Sequence, residues 1–143
     1  MLKISQTDAV EICSHAEQDY PHECCGVLLG HFEGDVRRVT AVIRCVNTRK
    51  DSPHNRYDID PRELIRIQCE GRESGQEIVG FYHSHPDHPS LWSATDLTEA
   101  HWFGCSYLIT SVVQGKVSAT SSFELTGSAE RDKTLLEERI EVS

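Results

Sequence analysis

The run CCGVLLGHF (24–32) constrains this chain more than any other stretch. It is almost continuously apolar and lacks the alternation of a half-exposed strand, so it reads as a strand buried in a sheet. The turn Gly34-Asp35 follows, and VRRVTAVIRCV (36–46) is β-branched and completes a hairpin. A third strand, EIVGFYHSH (77–85), ends at Pro86, and SYLITSVV and VSATSSFEL form a second hairpin around Gln114-Gly115-Lys116. Helical segments fall between these strands. Residues 6–20 carry an apolar stripe of Ala9, Ile12, Cys13, Ala16 and Tyr20 behind the N-cap Ser5. Asp60, Pro61 and Glu63 open a second helix after the polar loop 47–56, and Ser93 opens a third that runs to about Phe103. Interleaved helices and strands with two hairpins imply an α/β fold with a mixed central β-sheet flanked by helices. With 143 residues the chain reads as a single domain, 1–143, with a charged helical tail from about 127.

Bulk chemistry removes several classes of function. A net charge of -9 opposes binding to nucleic acid, which needs clustered Lys and Arg. No apolar run is long enough to span a membrane, and the first residues lack the apolar core of a signal peptide, so the expected compartment is the cytoplasm. The six cysteines include no C-x-x-C pair and read as reduced thiols, with Cys13, Cys45, Cys69 and Cys105 in apolar stretches.

The stretch His83-Ser84-His85-Pro86 carries the chemistry. Alternate residues of a strand share a face, so His83 and His85 project together as two nitrogen ligands for one metal ion. Ser93 and Asp96 lie three apart on a helix and face one way, so a loop over 86–92 can fold Asp96 onto the strand end. Two imidazoles and one carboxylate leave a tetrahedral zinc with an open position, the mark of a catalytic rather than a structural site. Glu23, at the start of the buried run, is the candidate acid/base, and Ser93 the candidate donor to an oxyanion. Singly, each residue also has a plain reading: the histidines as solvent-facing or hydrogen-bonded side chains, Ser93-x-x-Asp96 as a helix capping box, Glu23 as a solvated carboxylate.

Taken together, Glu23, HSHP and Ser93-x-x-Asp96 resemble the JAMM (JAB1/MPN+) zinc metalloprotease signature, and PHECCGVLLG and NRYDIDPREL resemble segments of its short bacterial and archaeal members. The similarity covers about residues 3–124. It implies an MPN fold related to cytidine deaminase, one zinc per chain on His83, His85 and Asp96, Glu23 as acid/base and Ser93 as oxyanion donor. It also implies cleavage of peptide or isopeptide bonds near the C-terminal tail of a ubiquitin-like protein. The short loops point to a sulfur-carrier protein, or its C-terminal peptide, as the partner. Trp92 stands where many relatives have Pro, which bears on loop shape and substrate choice. The oligomeric state, a homodimer included, stays open. Two rivals remain: a non-catalytic MPN scaffold, and a metallo-β-lactamase-like hydrolase, because His83 to His88 also satisfy H-x-H-x-D-H. A zinc deaminase is excluded by the absence of H-x-E and P-C-x-x-C.

Overall fold

The computed structural model describes residues 1–49 and 56–143, so the middle of the polar loop, with His54, lies outside the described residues. Along the chain the elements are β1 (Leu2–Ile4), α1 (Gln6–Asp19), β2 (Cys25–Glu33), β3 (Val36–Cys45), α2 (Pro61–Glu73), β4 (Glu77–Pro86), α3 (Ala94–Glu99), β5 (Ser106–Val113), β6 (Lys116–Thr126), β7 (Thr134–Glu138) and β8 (Ile140–Val142). The helix starts follow local chemistry. Ser5 accepts from the Asp8 amide, and Asp60 accepts from the Arg62 amide ahead of Pro61.

The strands form one mixed sheet in the order β7-β6-β5-β4-β2-β3-β1-β8. The hairpin pairs β2/β3 and β5/β6 are antiparallel, whereas β4 and β5 are parallel and joined by the crossover that contains α3. β7 and β8 occupy opposite ends of that order, yet only Arg139 separates them in sequence. The sheet therefore has to curl until its two edges meet. Three bulges, at Thr40 on β3, Val79 on β4 and Ser118 on β6, supply bending and extra twist.

α1 lies inside the curl. Its Ile12 and Ala16 are buried with Leu2 and Ile4 of β1, Leu28 of β2, Val39 of β3 and Leu108 and Val112 of β5. The other face carries Val27, Leu29, Phe81, Tyr107 and Ile109, covered by Ile67 of α2 and by Leu97 and Trp102 of the crossover. The Val79 bulge sets the phase of β4: beyond it Phe81 faces the α2/α3 side while Tyr82 faces α1. A Cβ at Gly26 would stand 2.1 Å from Tyr82 Cε1, so that glycine makes room for the ring, whose hydroxyl meets His15 Nδ1 at 2.7 Å.

Three sequence expectations change. The charged tail is extended, not helical: β7 pairs with β6 and β8 with β1. Its Glu and Arg content suits a helix, but Leu135 is buried and the open backbone groups of both sheet edges are satisfied by strand pairing. The third helix stops at Glu99 rather than Phe103, because Ala100 turns extended and buried and the Trp102 amide is bonded to Tyr107 Oη at 3.1 Å. Cys69 is exposed, whereas Cys24 and Cys25 are buried with Cys45 and Cys105; all six thiols are free.

Glu138 clasps the closed sheet. Its carboxylate accepts from Arg37 Nη2 at 2.5 Å, Ser106 Oγ at 2.6 Å and Ser122 Oγ at 2.8 Å, and only 6% of the side chain is exposed. Burial alone would raise its pKa, but the hydroxyls and the guanidinium hold it below the ordinary value. The stabilisation is therefore complete above the ordinary carboxylate pKa of about 4.3 and disappears as pH falls through the lower folded value. Glu138→Gln should cost about 2 kcal/mol at neutral pH. It should also flatten the loss of stability toward about pH 3, as read by denaturant unfolding across pH.

Candidate active site

β4 ends in His83-Ser84-His85-Pro86, and because it is past the Val79 bulge, both histidines sit on the face that α3 overhangs. Parallel pairing to β5 (His83↔Ile109, His85↔Ser111) and antiparallel pairing to β2 (Cys25↔His83) bury this strand end among neighbours. His83 is 1% exposed and His85 8%.

α3 brings the carboxylate. Ser93 caps it with a complete capping box: Ser93 Oγ accepts from the Asp96 amide at 3.1 Å, and Asp96 Oδ2 accepts from the Ser93 amide at 2.9 Å. The capping reading and the ligand reading thus coexist, since the same box aims Asp96 at the strand. Asp96 Oδ1 lies 3.1 Å from His83 Nε2, Asp96 Oδ2 lies 3.1 Å from His85 Nε2, and the two Nε2 atoms are 3.3 Å apart. Among the described residues, His83, His85 and Asp96 are the one group of three or more His, Cys, Asp or Glu whose ligand atoms converge, all within 4.8 Å. His88 and His101 do not join it. His88 borders the cleft and His101 pairs with Glu130 at 3.1 Å, so no two-metal arrangement forms among the described residues.

The tautomers follow from the outer contacts. His85 Nδ1 is 2.8 Å from the Pro89 carbonyl, which can only accept, so Nδ1 carries a proton and Nε2 faces Asp96 and His83, as a donor in the charged ring and as a lone pair in the neutral one. His83 stacks on Tyr57, with centroids 4.6 Å apart and 25° between planes. Its Nδ1 has no hydrogen-bond partner among the described residues, so strand position and stacking orient it.

Charge is distributed accordingly. Burial opposes ionisation of Asp96, but hydrogen bonds from both histidines and the Ser93 amide hold its pKa far below the ordinary value. Burial pushes His83 down. It works the same way on His85, yet the Asp96 and Pro89 hydrogen bonds raise that ring above its usual value.

Glu23 lines the same cleft, of about 380 Å³, as His85, His88, Trp92 and Ser93. It is 4% exposed. Burial lifts its carboxyl to about 8; the His85 ring opposes this, and the Asp96 and Glu99 carboxylates add to it. A carboxyl poised near neutrality can both take up and release a proton. Sequence reasoning passed over the Pro89 carbonyl and Tyr57 as supports of the histidines. The first had no signal beyond a second proline four residues past His85, and the second none at all.

The family of prokaryotic homologues of the JAB domain matches residues 6–125. Over 104 residues the chain is 42% identical to a desampylase of Haloferax volcanii, covering 70% of this chain and 73% of that protein. It is 33% identical to a probable TtuB-protein conjugate cleaving protease of Thermus thermophilus over 64% of this chain and 58% of that one. A protein of Desulfitobacterium hafniense solved in solution shares 33% identity at a TM-score of 0.84, covering 100% of this chain and 93% of its own. A JAB1/MPN domain protein of Archaeoglobus fulgidus, 19% identical at a TM-score of 0.58 over 100% of this chain and 97% of its own, shares the fold.

Zinc should raise the melting temperature of the metal-free protein in a concentration-dependent way, by the equivalent of about 2.7 kcal/mol at a hundredfold excess over Kd. Asp96→Ala should abolish that rise in scanning calorimetry.

Proposed function

The chain belongs to the family of prokaryotic homologues of the JAB domain, and we propose that it is a zinc-dependent peptidase or isopeptidase that cleaves at the C-terminal tail of a ubiquitin-like protein. The single observation that carries this reading is the convergence of two imidazole Nε2 atoms and one carboxylate beside a buried, proton-accepting Glu23. The names of the Haloferax and Thermus relatives, a desampylase and a probable TtuB-protein conjugate cleaving protease, support the substrate class.

The donor set fits a divalent ion. With Nδ1 of His85 committed to the Pro89 carbonyl, two nitrogen lone pairs and a carboxylate face one point, and imidazole with carboxylate suits zinc. His83, His85 and Asp96 would hold one zinc per chain. A zinc ion there supplies Lewis-acid polarisation of the scissile carbonyl and acidifies water toward neutrality.

The chain's own groups do the rest. Glu23 accepts a proton from the attacking water at a carboxylate oxygen and returns it to the leaving nitrogen, a double duty suited to its raised affinity for protons. Ser93 Oγ already accepts from the Asp96 amide, so its hydrogen is free to donate to the developing oxyanion. His88 and Trp92 border the cleft and would meet the extended tail of the substrate. The connection 87–93 between β4 and α3 is short, which favours a small sulfur-carrier protein as the substrate. Six free thiols accord with work in the cytoplasm.

The test is incubation of the zinc-loaded protein with ubiquitin-like carriers bearing C-terminal extensions, read by intact mass. Cleavage after the carrier's own C-terminus is the expected result. Glu23→Gln should lower the rate at least about 100-fold with zinc retained at one per chain. An unchanged mass for every carrier would overturn the proposal, and near-normal turnover by Glu23→Gln would remove Glu23 from its role.

A further inference from the structure

The peptide unit joining Glu23 to Cys24 is held at both ends by side chains. Its carbonyl accepts from Asn47 Nδ2 at 3.1 Å, and its N–H donates to Ser84 Oγ at 2.8 Å. Neither is a sheet bond. In a regular antiparallel rung two residues exchange both backbone hydrogen bonds. Here the Ser84 amide still donates to the Cys24 carbonyl at 3.2 Å, but the return bond goes to the Ser84 hydroxyl. The ladder between β2 and β4 thus ends in a rung with a side-chain oxygen, one residue past the Cys25↔His83 pair, where the chain leaves the sheet carrying Glu23.

Both clamp residues are themselves fixed. Ser84 is 0% exposed and lies between His83 and His85, so the strand that presents the imidazoles also sets the peptide next to Glu23. Asn47, just past the end of β3, also donates to the Arg56 carbonyl at 3.0 Å, and its Oδ1 accepts from the Arg49 and Asp58 amides at 3.0 and 3.1 Å. It ties the two described ends of the 47–58 segment to the Glu23 backbone.

We infer that Ser84 and Asn47 are positioning residues for Glu23, acting through the Glu23–Cys24 peptide plane. This rests on the reading of Glu23 as the acid/base. Rotation of that plane swings the Glu23 Cα–Cβ direction and with it the carboxylate. Proton transfer needs heavy atoms about 2.6–3.2 Å apart, and displacement by about 1 Å can cost about 100-fold in rate.

Ser84→Ala, Asn47→Ala and Ser84→Thr in the zinc-loaded protein test the clamp with carrier fusions as substrate. Ser84→Ala and Asn47→Ala should each lower kcat about 10- to 100-fold with KM within about twofold and zinc still at one per chain, and Ser84→Thr should recover most of the loss. Added to Glu23→Gln, Ser84→Ala should cost nothing further, because its effect passes through the group already removed. Amide hydrogen exchange at Cys24 should quicken in Ser84→Ala and return toward the wild-type rate in Ser84→Thr. A wild-type kcat in Ser84→Ala, or an additional loss in the Glu23→Gln background, would overturn the inference. If the wild-type protein cleaved no carrier, the proposed function would fail by itself. Cys24 exchange would then decide the clamp, and an unchanged rate in Ser84→Ala would refute it.

Discussion

Two imidazole nitrogens 3.3 Å apart, each 3.1 Å from an oxygen of one half-buried carboxylate, are stabilised by positive charge between them. Lone pairs brought together out of water repel, and an ionised carboxylate away from solvent is costly unless paired. A divalent cation supplies that charge and adds ligand bonds to all three side chains. Much of the surrounding structure keeps these atoms facing one another. The bulge at Val79 gives β4 its phase, the Pro89 carbonyl turns His85, Tyr57 stacks on His83, and the Ser93 capping box aims Asp96.

The site also depends on the curled sheet behind it. A strand buried on both faces cannot tilt or shift register without disturbing two cores, so the end of β4 is a rigid platform. α1 inside the curl and the Glu138 clasp at its seam brace that platform from the far side. Glu23 comes from the segment just ahead of β2, and its acid–base character arises from being drawn into the same dry region. Its carboxyl then has few hydrogen bonds to favour ionisation and two carboxylates near enough to oppose it.

The chain spans 73% of the Haloferax desampylase it resembles, and the fold similarity covers 93% of a Desulfitobacterium protein and all of this chain. The family match ends at residue 125, before β7 and β8. The segment in which composition and structure disagree most therefore lies outside the residues of that match. There Leu135 is buried and the Glu138 side chain is covered in a tail that otherwise reads as solvent-facing helix.

What the sequence determined by itself was local. The strand runs at 24–32 and 77–85, the caps at Ser5, Asp60 and Ser93, and the shared face of His83 and His85 all follow from periodicities and hydrogen bonds spanning a few residues. These contacts form wherever the chain is extended or helical, so residue order suffices to read them. Only the tertiary structure decided that the tail would be strand, that the sheet would close on itself, and that Glu23, sixty residues before the histidines, would line their cleft. Each of those outcomes turns on which distant backbone edge or side chain is available to satisfy a group withdrawn from water. That competition is settled by the whole fold and leaves no mark within a short window of sequence.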